Sequence, residues 1–196
     1  MPKIVDHFER RLQLAQAAWA IMGKSGLQGL RLGDVAREAG YTVGVLPTYF
    51  RNRADLIDAS FELAADRLFD RIVARNAMVP PGADRIYNAL AEWLPRPEVP
   101  ESTALSIMCF AVRDDGDGAI SDVYKEKSQR LLELLDRYID EALDARAIKL
   151  RTPKTSFVRL LAIFLDGMCI RALAFPTQRV RAECLASLRE IIVSFT

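Results

Sequence analysis

Apolar residues in this chain recur every three or four positions and nowhere alternate over a sustained run, so they can share one buried face only on helices. Phe8, Leu12, Ala15, Trp19 and Met22 mark a first face, which Gly23 and Gly26 bring to an end. Ile57, Phe61, Ala64, Leu68 and Ile72 mark a second over about residues 53–75. Asn52 can cap that helix, and Asp55 three residues later can return the hydrogen bond. Pro80-Pro81-Gly82 breaks the chain, and Ile86, Leu90 and Trp93 form a shorter amphipathic segment. A connector with Pro95, Pro97 and Pro100 leads to a helix over about residues 102–112. A long helix over about residues 120–147 follows, with Leu131, Leu134, Leu135, Tyr138 and Leu143 on its apolar side. Thr152-Pro153 opens another, Pro176 closes it, and the last runs through Cys184, Leu188, Ile191 and Phe195. The expected fold is all-α, with about nine helices.

The residue inventory excludes most chemistry. With 51% apolar and 27% charged residues, the 196-residue chain is long enough to bury a core. His7 is its one histidine, and Cys109, Cys169 and Cys184 are scattered among apolar neighbours, so no metal cluster is expected. No Gly-x-Ser-x-Gly elbow or phosphate-cradling glycine loop occurs; no catalytic residue and no cofactor is expected. The run 114–118 (DDGDG) fails as a calcium loop: with Gly118 at the sixth position, Arg113 takes the first, and no glutamate closes it. The most apolar run, Leu160 to Phe175, is interrupted by Asp166 and Arg171 and is too short to span a bilayer. The first residues carry no export signal, so cytoplasmic residence without a membrane partner is the expectation.

Charge is uneven along the chain. Residues 1–53 hold eight Lys and Arg against four Asp and Glu, a net +4, while the whole chain is only +1. A basic head on a slightly acidic body is the asymmetry expected where the head alone meets a polyanion. Within that head, residues 31–50 read as two short helices. Val35, Ala36 and Ala39 belong to the first, Gly40 supplies the turn, and Thr42 caps a second from Val43 to Phe50. Two short helices joined this way form a helix-turn-helix whose second member can enter a major groove.

From Arg10 to Ile57 the chain resembles the DNA-binding head of the TetR family of transcriptional repressors. The matching residues are Ala39-Gly40, Gly44-x-Leu46, Tyr49-Phe50 and Asn52-Arg53-x-x-Leu56. Residues 165–168 (LDGM) also resemble the C-terminal region of the branch that includes the choline-responsive repressor of betaine synthesis. The resemblance implies a head over residues 8–67 and an effector-binding, dimerising body over 68–196. It implies phosphate contacts from Thr42, Tyr49 and Arg53, with Val43, Gly44, Val45 and Thr48 facing bases or sugars. None of these is a bidentate base reader, and Arg31 is a spare cation for an added contact. Two positions depart from the family pattern. Arg31 stands where a capping Thr or Ser is usual, and Pro47 stands where Tyr is usual. A proline in a regular helix interior costs about 3 kcal/mol, so the second helix is expected to tighten or kink. The alternative reading is a helical ligand- or protein-binding dimer that has lost DNA binding through Pro47.

For the body, the resemblance implies a small-molecule effector and a symmetric four-helix dimer interface, paired with a palindromic double-stranded DNA operator. Candidate pocket residues are Phe61, Trp93, Met108, Phe110, Arg113, Phe164 and Met168. Helix 153–175 is apolar over two neighbouring faces, which suits burial on two sides. Leu165, Gly167, Cys169 and Leu173, with Leu188 and Ile192 of the last helix, are the candidate interface residues.

Overall fold

The computed structural model describes residues 6–96 and 119–196. Among the described residues there are eight α-helices and no strand. α1 (His7–Ser25) opens on Asp6, whose carboxylate accepts from the Glu9 N–H at 3.0 Å. It buries Leu14, Ala15, Ala18, Trp19 and Met22, whereas Phe8, expected on that face, is 77% exposed. Gly23 is inside the helix; the stop is Gly26, with φ +71 and its N–H on the Met22 carbonyl at 2.9 Å. A 3-10 turn over Leu27–Gly29 leads to α2 (Leu32–Glu38), and a second over Val43–Val45 leads to α3 (Leu46–Tyr49).

α4 (Arg53–Asn76) starts on Asn52, whose side chain accepts from the Asp55 N–H at 2.8 Å. The return bond goes one residue further back than expected: the Asp55 carboxylate accepts from the Arg51 N–H at 2.9 Å. α4 is apolar on two sides because it packs on α1 near its start and on later helices near its end. Those are α5 (Ala83–Trp93) and α6 (Ala119–Asp144). The α4–α5 junction carries a buried ion cluster. Glu92 is buried and accepts from Arg75 at 2.7 Å, Arg71 at 3.5 Å and Arg96. Burial pushes its carboxyl upward, and Arg75 and Arg96 more than offset this, holding it below the ordinary range.

α6 ends earlier than its apolar pattern suggests. The Arg146 N–H bonds the Leu143 carbonyl at 2.9 Å, and the Ala147 N–H bonds that of Ala142 at 2.9 Å. This closure places Arg146 at φ +53, a left-handed position usually given to glycine. α7 (Lys154–Ala174) starts after Pro153, and Lys154 ties it to α6 through Asp136 and Asp140, each at 2.9 Å. α8 (Gln178–Phe195) is capped by Thr177, whose hydroxyl accepts from the Val180 N–H at 3.2 Å. One continuous apolar core runs from Leu14 of α1 to Ile192 of α8. The helix expected over residues 102–112 and the polar turn at 114–118 lie outside the described residues, as does Cys109; Cys169 and Cys184 are buried. No described helix is long and apolar enough to cross a membrane. Among the described residues no cluster of His, Cys, Asp or Glu could hold a metal ion.

Candidate nucleic-acid interface

The turn between α2 and the Val43–Val45 segment follows from one glycine. Gly40 adopts φ +78, its N–H bonds the Arg37 carbonyl at 3.1 Å, and the Tyr41 N–H bonds the Ala36 carbonyl at 2.7 Å. These two bonds satisfy the last carbonyls of α2 and swing the chain into the second segment. Val35, Ala36, Leu46 and Phe50 fill the space behind the turn and are almost fully buried. α2 itself starts on Arg31, whose side chain makes no cap bond.

α3 is only four residues long and cannot hold itself. α1 braces it. Arg11 stacks over the Phe50 ring at 4.4 Å, donates to the Tyr49 carbonyl, and pairs with Asp55 at 3.2 Å. Tyr41 donates its hydroxyl to Gln13 at 2.6 Å, with Arg10 over its ring at 5.5 Å. The His7 ring lies 5.7 Å from that of Tyr49. Burial pushes the Asp55 carboxyl upward, but the Arg51 N–H and the Arg11 guanidinium prevail and hold it below its ordinary value. The inward side of the recognition segment is thereby fixed by α1 and by the start of α4.

The outward side carries the residues expected to meet DNA. Arg31, Thr42, Val43, Gly44, Thr48 and Arg53 are exposed, and Val45 and Tyr49 are half-buried. Thr42 has the extended backbone of a cap, but its hydroxyl does not cap the turn. A Cβ built on Gly44 would meet nothing, so the chain's own packing does not require glycine there. The effect expected of Pro47 takes a mild form. The Leu46 N–H bonds the Val43 carbonyl in a 3-10 step, so the acceptor that Pro47 cannot serve is already satisfied. Pro47 itself falls in the first turn of α3, where helix N–H groups are unpaired anyway. The segment tightens without an orphaned carbonyl.

Arg53 is partly committed: its guanidinium donates to the Leu27 carbonyl at 2.7 Å. Arg51, which the sequence reading passed over, projects beside it with an 88% exposed side chain and a long 3.5 Å pair to Asp55. Arg11 was missed as well. Its signal was a cation three, four and seven residues before the buried Leu14, Ala15 and Ala18, which calls for an internal partner.

The candidate body residues divide differently from their spacing. Phe61 and Trp93 are buried, with Trp93 edge-on to Phe69 at 5.8 Å. Met108, Phe110 and Arg113 lie outside the described residues. Phe164 and Met168, expected in a pocket, line instead an open groove of about 590 Å³ between α7 and α8, together with Gly167, Cys184 and Ile191. Leu165, Cys169, Leu188 and Ile192, expected at an interface, are buried within the protomer, and Leu173 is half-buried. The reason is the direction of the inner face: Cys169 points to the Trp93 carbonyl at 3.7 Å, and Leu165 joins Phe157 and Leu161 in the core. The outer face is carried by Leu160, Ile163, Gly167 and Ile170.

A braced helix-turn-helix with a basic, exposed front, standing on a helical body, is the architecture of a DNA-binding transcriptional regulator. Residues 14–60 match the family model described as "Bacterial regulatory proteins, tetR family". The regulator PksA of Bacillus subtilis is 25% identical over all of this chain and 96% of its own length. The regulator BetI 2 of Chromohalobacter salexigens is 26% identical, over 93% of this chain and 86% of its own. In fold, a TetR-family transcriptional regulator from Rhodococcus sp. superposes with a TM-score of 0.81 at 21% identity, over 95% and 98% of the two chains. A regulator from Saccharomonospora viridis, solved in complex with choline, gives 0.81 at 18% identity, over 94% and 96%. The chain thus matches the tetR family model over residues 14–60, and along its whole length it is similar in sequence to HTH-type transcriptional regulators and in fold to TetR-family ones.

Proposed function

We propose that the chain is a ligand-responsive, homodimeric repressor in which residues 8–67 bind a palindromic operator and residues 68–196 sense a small molecule and dimerise. The observation that carries the DNA reading is the recognition segment itself, pinned on its inner side by Arg11 and Tyr41 and open on its outer side at Val43 and Thr48. A groove-reading element needs that combination of fixed inside and free outside. Thr42, Tyr49, Arg51 and Arg53 take phosphates; Val43, Gly44, Val45 and Thr48 face the groove, with Arg31 as an added contact.

Dimerisation is supported by Leu160, Ile163 and Ile170, which are 41%, 63% and 48% exposed along one side of α7. Gly167 lies on the same side, and a Cβ there would meet nothing in the protomer. An exposed glycine in mid-helix costs about 1 kcal/mol, which close approach of a second copy's helix offsets. A small organic effector would bind in the body, where Trp93 is a buried aromatic packed edge-on against Phe69. The choline held by the Saccharomonospora viridis neighbour is an example of such a molecule. The effector acts by favouring one spacing of the two heads over another.

Selection from a random DNA pool tests the reading. A recovered palindrome, bound with affinity falling steeply as salt rises, supports it; equal retention of all sequences overturns it. Arg51→Ala should weaken every site alike and lower the salt slope by about 1, whereas Thr48→Ala should change which sites are preferred.

A further inference from the structure

We propose that pairing of two copies through the outer α7–α8 face is linked to proton uptake at Asp166, so that the dimer tightens as the solution becomes more acidic. The proposal rests on the homodimer reading above. On α7, Asp166 lies three residues after Ile163 and four before Ile170, inside the exposed apolar stripe and beside Gly167. If Gly167 is where the second copy comes closest, Asp166 stands near the middle of the contact and loses water when it forms. A carboxylate buried there must find a cation or take up a proton.

Three cations of α7 and α8 are already answered within the protomer, and Arg181 lies beside Cys184. Arg171 pairs with Glu183 at 3.7 Å and lies over the Phe175 ring at 5.9 Å. Arg179 pairs with the same Glu183 at 3.0 Å. Arg189 pairs with Asp84 at 3.1 Å and covers Tyr87 at 4.3 Å. Arg159 is on the same stripe, but seven residues or ~10 Å back along the helix. The acids that α8 adds, Glu183 and Glu190, oppose a second negative charge. α5 and α6 meet the opposite side of α7, through Cys169 on the Trp93 carbonyl and Lys154 on Asp136 and Asp140. Desolvation by its surroundings already raises the Asp166 carboxyl above its ordinary value in the single protomer, with no charged neighbour contributing. Two-fold symmetry places two such acids in each interface.

Subunit exchange between donor- and acceptor-labelled full-length protein, with sedimentation for the dissociation constant, reads the linkage directly. From about pH 8 to about pH 5 the wild-type dimer should tighten by roughly tenfold or more, one pKa unit at one acid being a factor of ten. Asp166→Asn should bind near pH 8 as tightly as wild type does near pH 5, and should be flat between them. A dimer whose strength follows neither pH nor this substitution overturns the proposal and leaves the homodimer reading standing. A dimer that weakens in acid, with the trend removed by Asp166→Asn, also overturns it, because Asp166 then pairs with the partner's cation. A monomer at every pH overturns the proposal together with the homodimer reading.

Discussion

The Asp55 carboxylate joins three pieces of chain: it receives the Arg51 N–H at the end of the recognition segment, the Arg11 guanidinium from α1, and stands in the first turn of α4. Replacing it with alanine removes the ionic partner of the Arg11 guanidinium and the acceptor of the Arg51 N–H. Asp55→Ala should therefore cost about 2 kcal/mol in urea melts near neutral pH. The pH dependence has a definite sign. The folded-state pKa is lowered, so the stabilisation is complete above the unfolded value near 4 and fades as pH falls through the folded value. The gap between wild type and Asp55→Ala should thus shrink below about pH 4, and a gap that widens in acid refutes the account. Asp58, one turn on, has the opposite tendency: desolvation and the nearby Glu62 and Asp55 raise its carboxyl, and it is the wild-type residue that gains in acid.

At the scale of single elements, two helix ends share one closure with different residues. α2 ends on Gly40 at φ +78, and α6 ends on Arg146 at φ +53. A non-glycine residue in that region carries about 1–2 kcal/mol of strain. Arg146→Gly should therefore raise the melting temperature, against the usual trend of substitutions, without altering helix content. The short recognition helix makes a second prediction. Pro47 sits in a first turn whose carbonyl is already bonded, so Pro47→Ala should change stability by less than ~1 kcal/mol. Calorimetry showing a gain near 3 kcal/mol would mean that the proline is strained after all. Among the described residues, helix existence was legible from the three-and-four spacing, and the Asn52 cap was carried by residue type. The early end of α6 was not, because Ala145 and Ala147 continue an apolar helix and only the left-handed Arg146 stops it.

Across the whole molecule, the helix-turn-helix segment could be placed from sequence because its markers are local: Gly40 and the Asn52 cap lie within a dozen residues. The two faces of α7 could not be assigned in the same way. Both are apolar, and which one turns inward depends on α5, whose Trp93 carbonyl takes Cys169 from far along the chain. Leu165 and Cys169 went inside, Phe164 and Gly167 outside, and no spacing rule separates those outcomes. The outward face now makes a clean prediction. Since a side chain at position 167 meets nothing in the protomer, Gly167→Leu should leave helix content and thermal stability of the single chain intact. It should weaken association of two copies by at least about tenfold in sedimentation, the usual cost of overpacking a close contact. Unchanged association would move the crossing point elsewhere.

α4 has a mechanical consequence. It is 24 residues long, about 36 Å, and is gripped at both ends: by Arg11 on Asp55 near the recognition segment, and by Glu92 on Arg71 and Arg75 in the body. A rod so held behaves as a lever. A tilt of about 5° at the Glu92 end carries the far tip ~3 Å, the length of one hydrogen bond. Under the proposed function, signals too small to remodel any helix would suffice to lift the reading surface off its base edges.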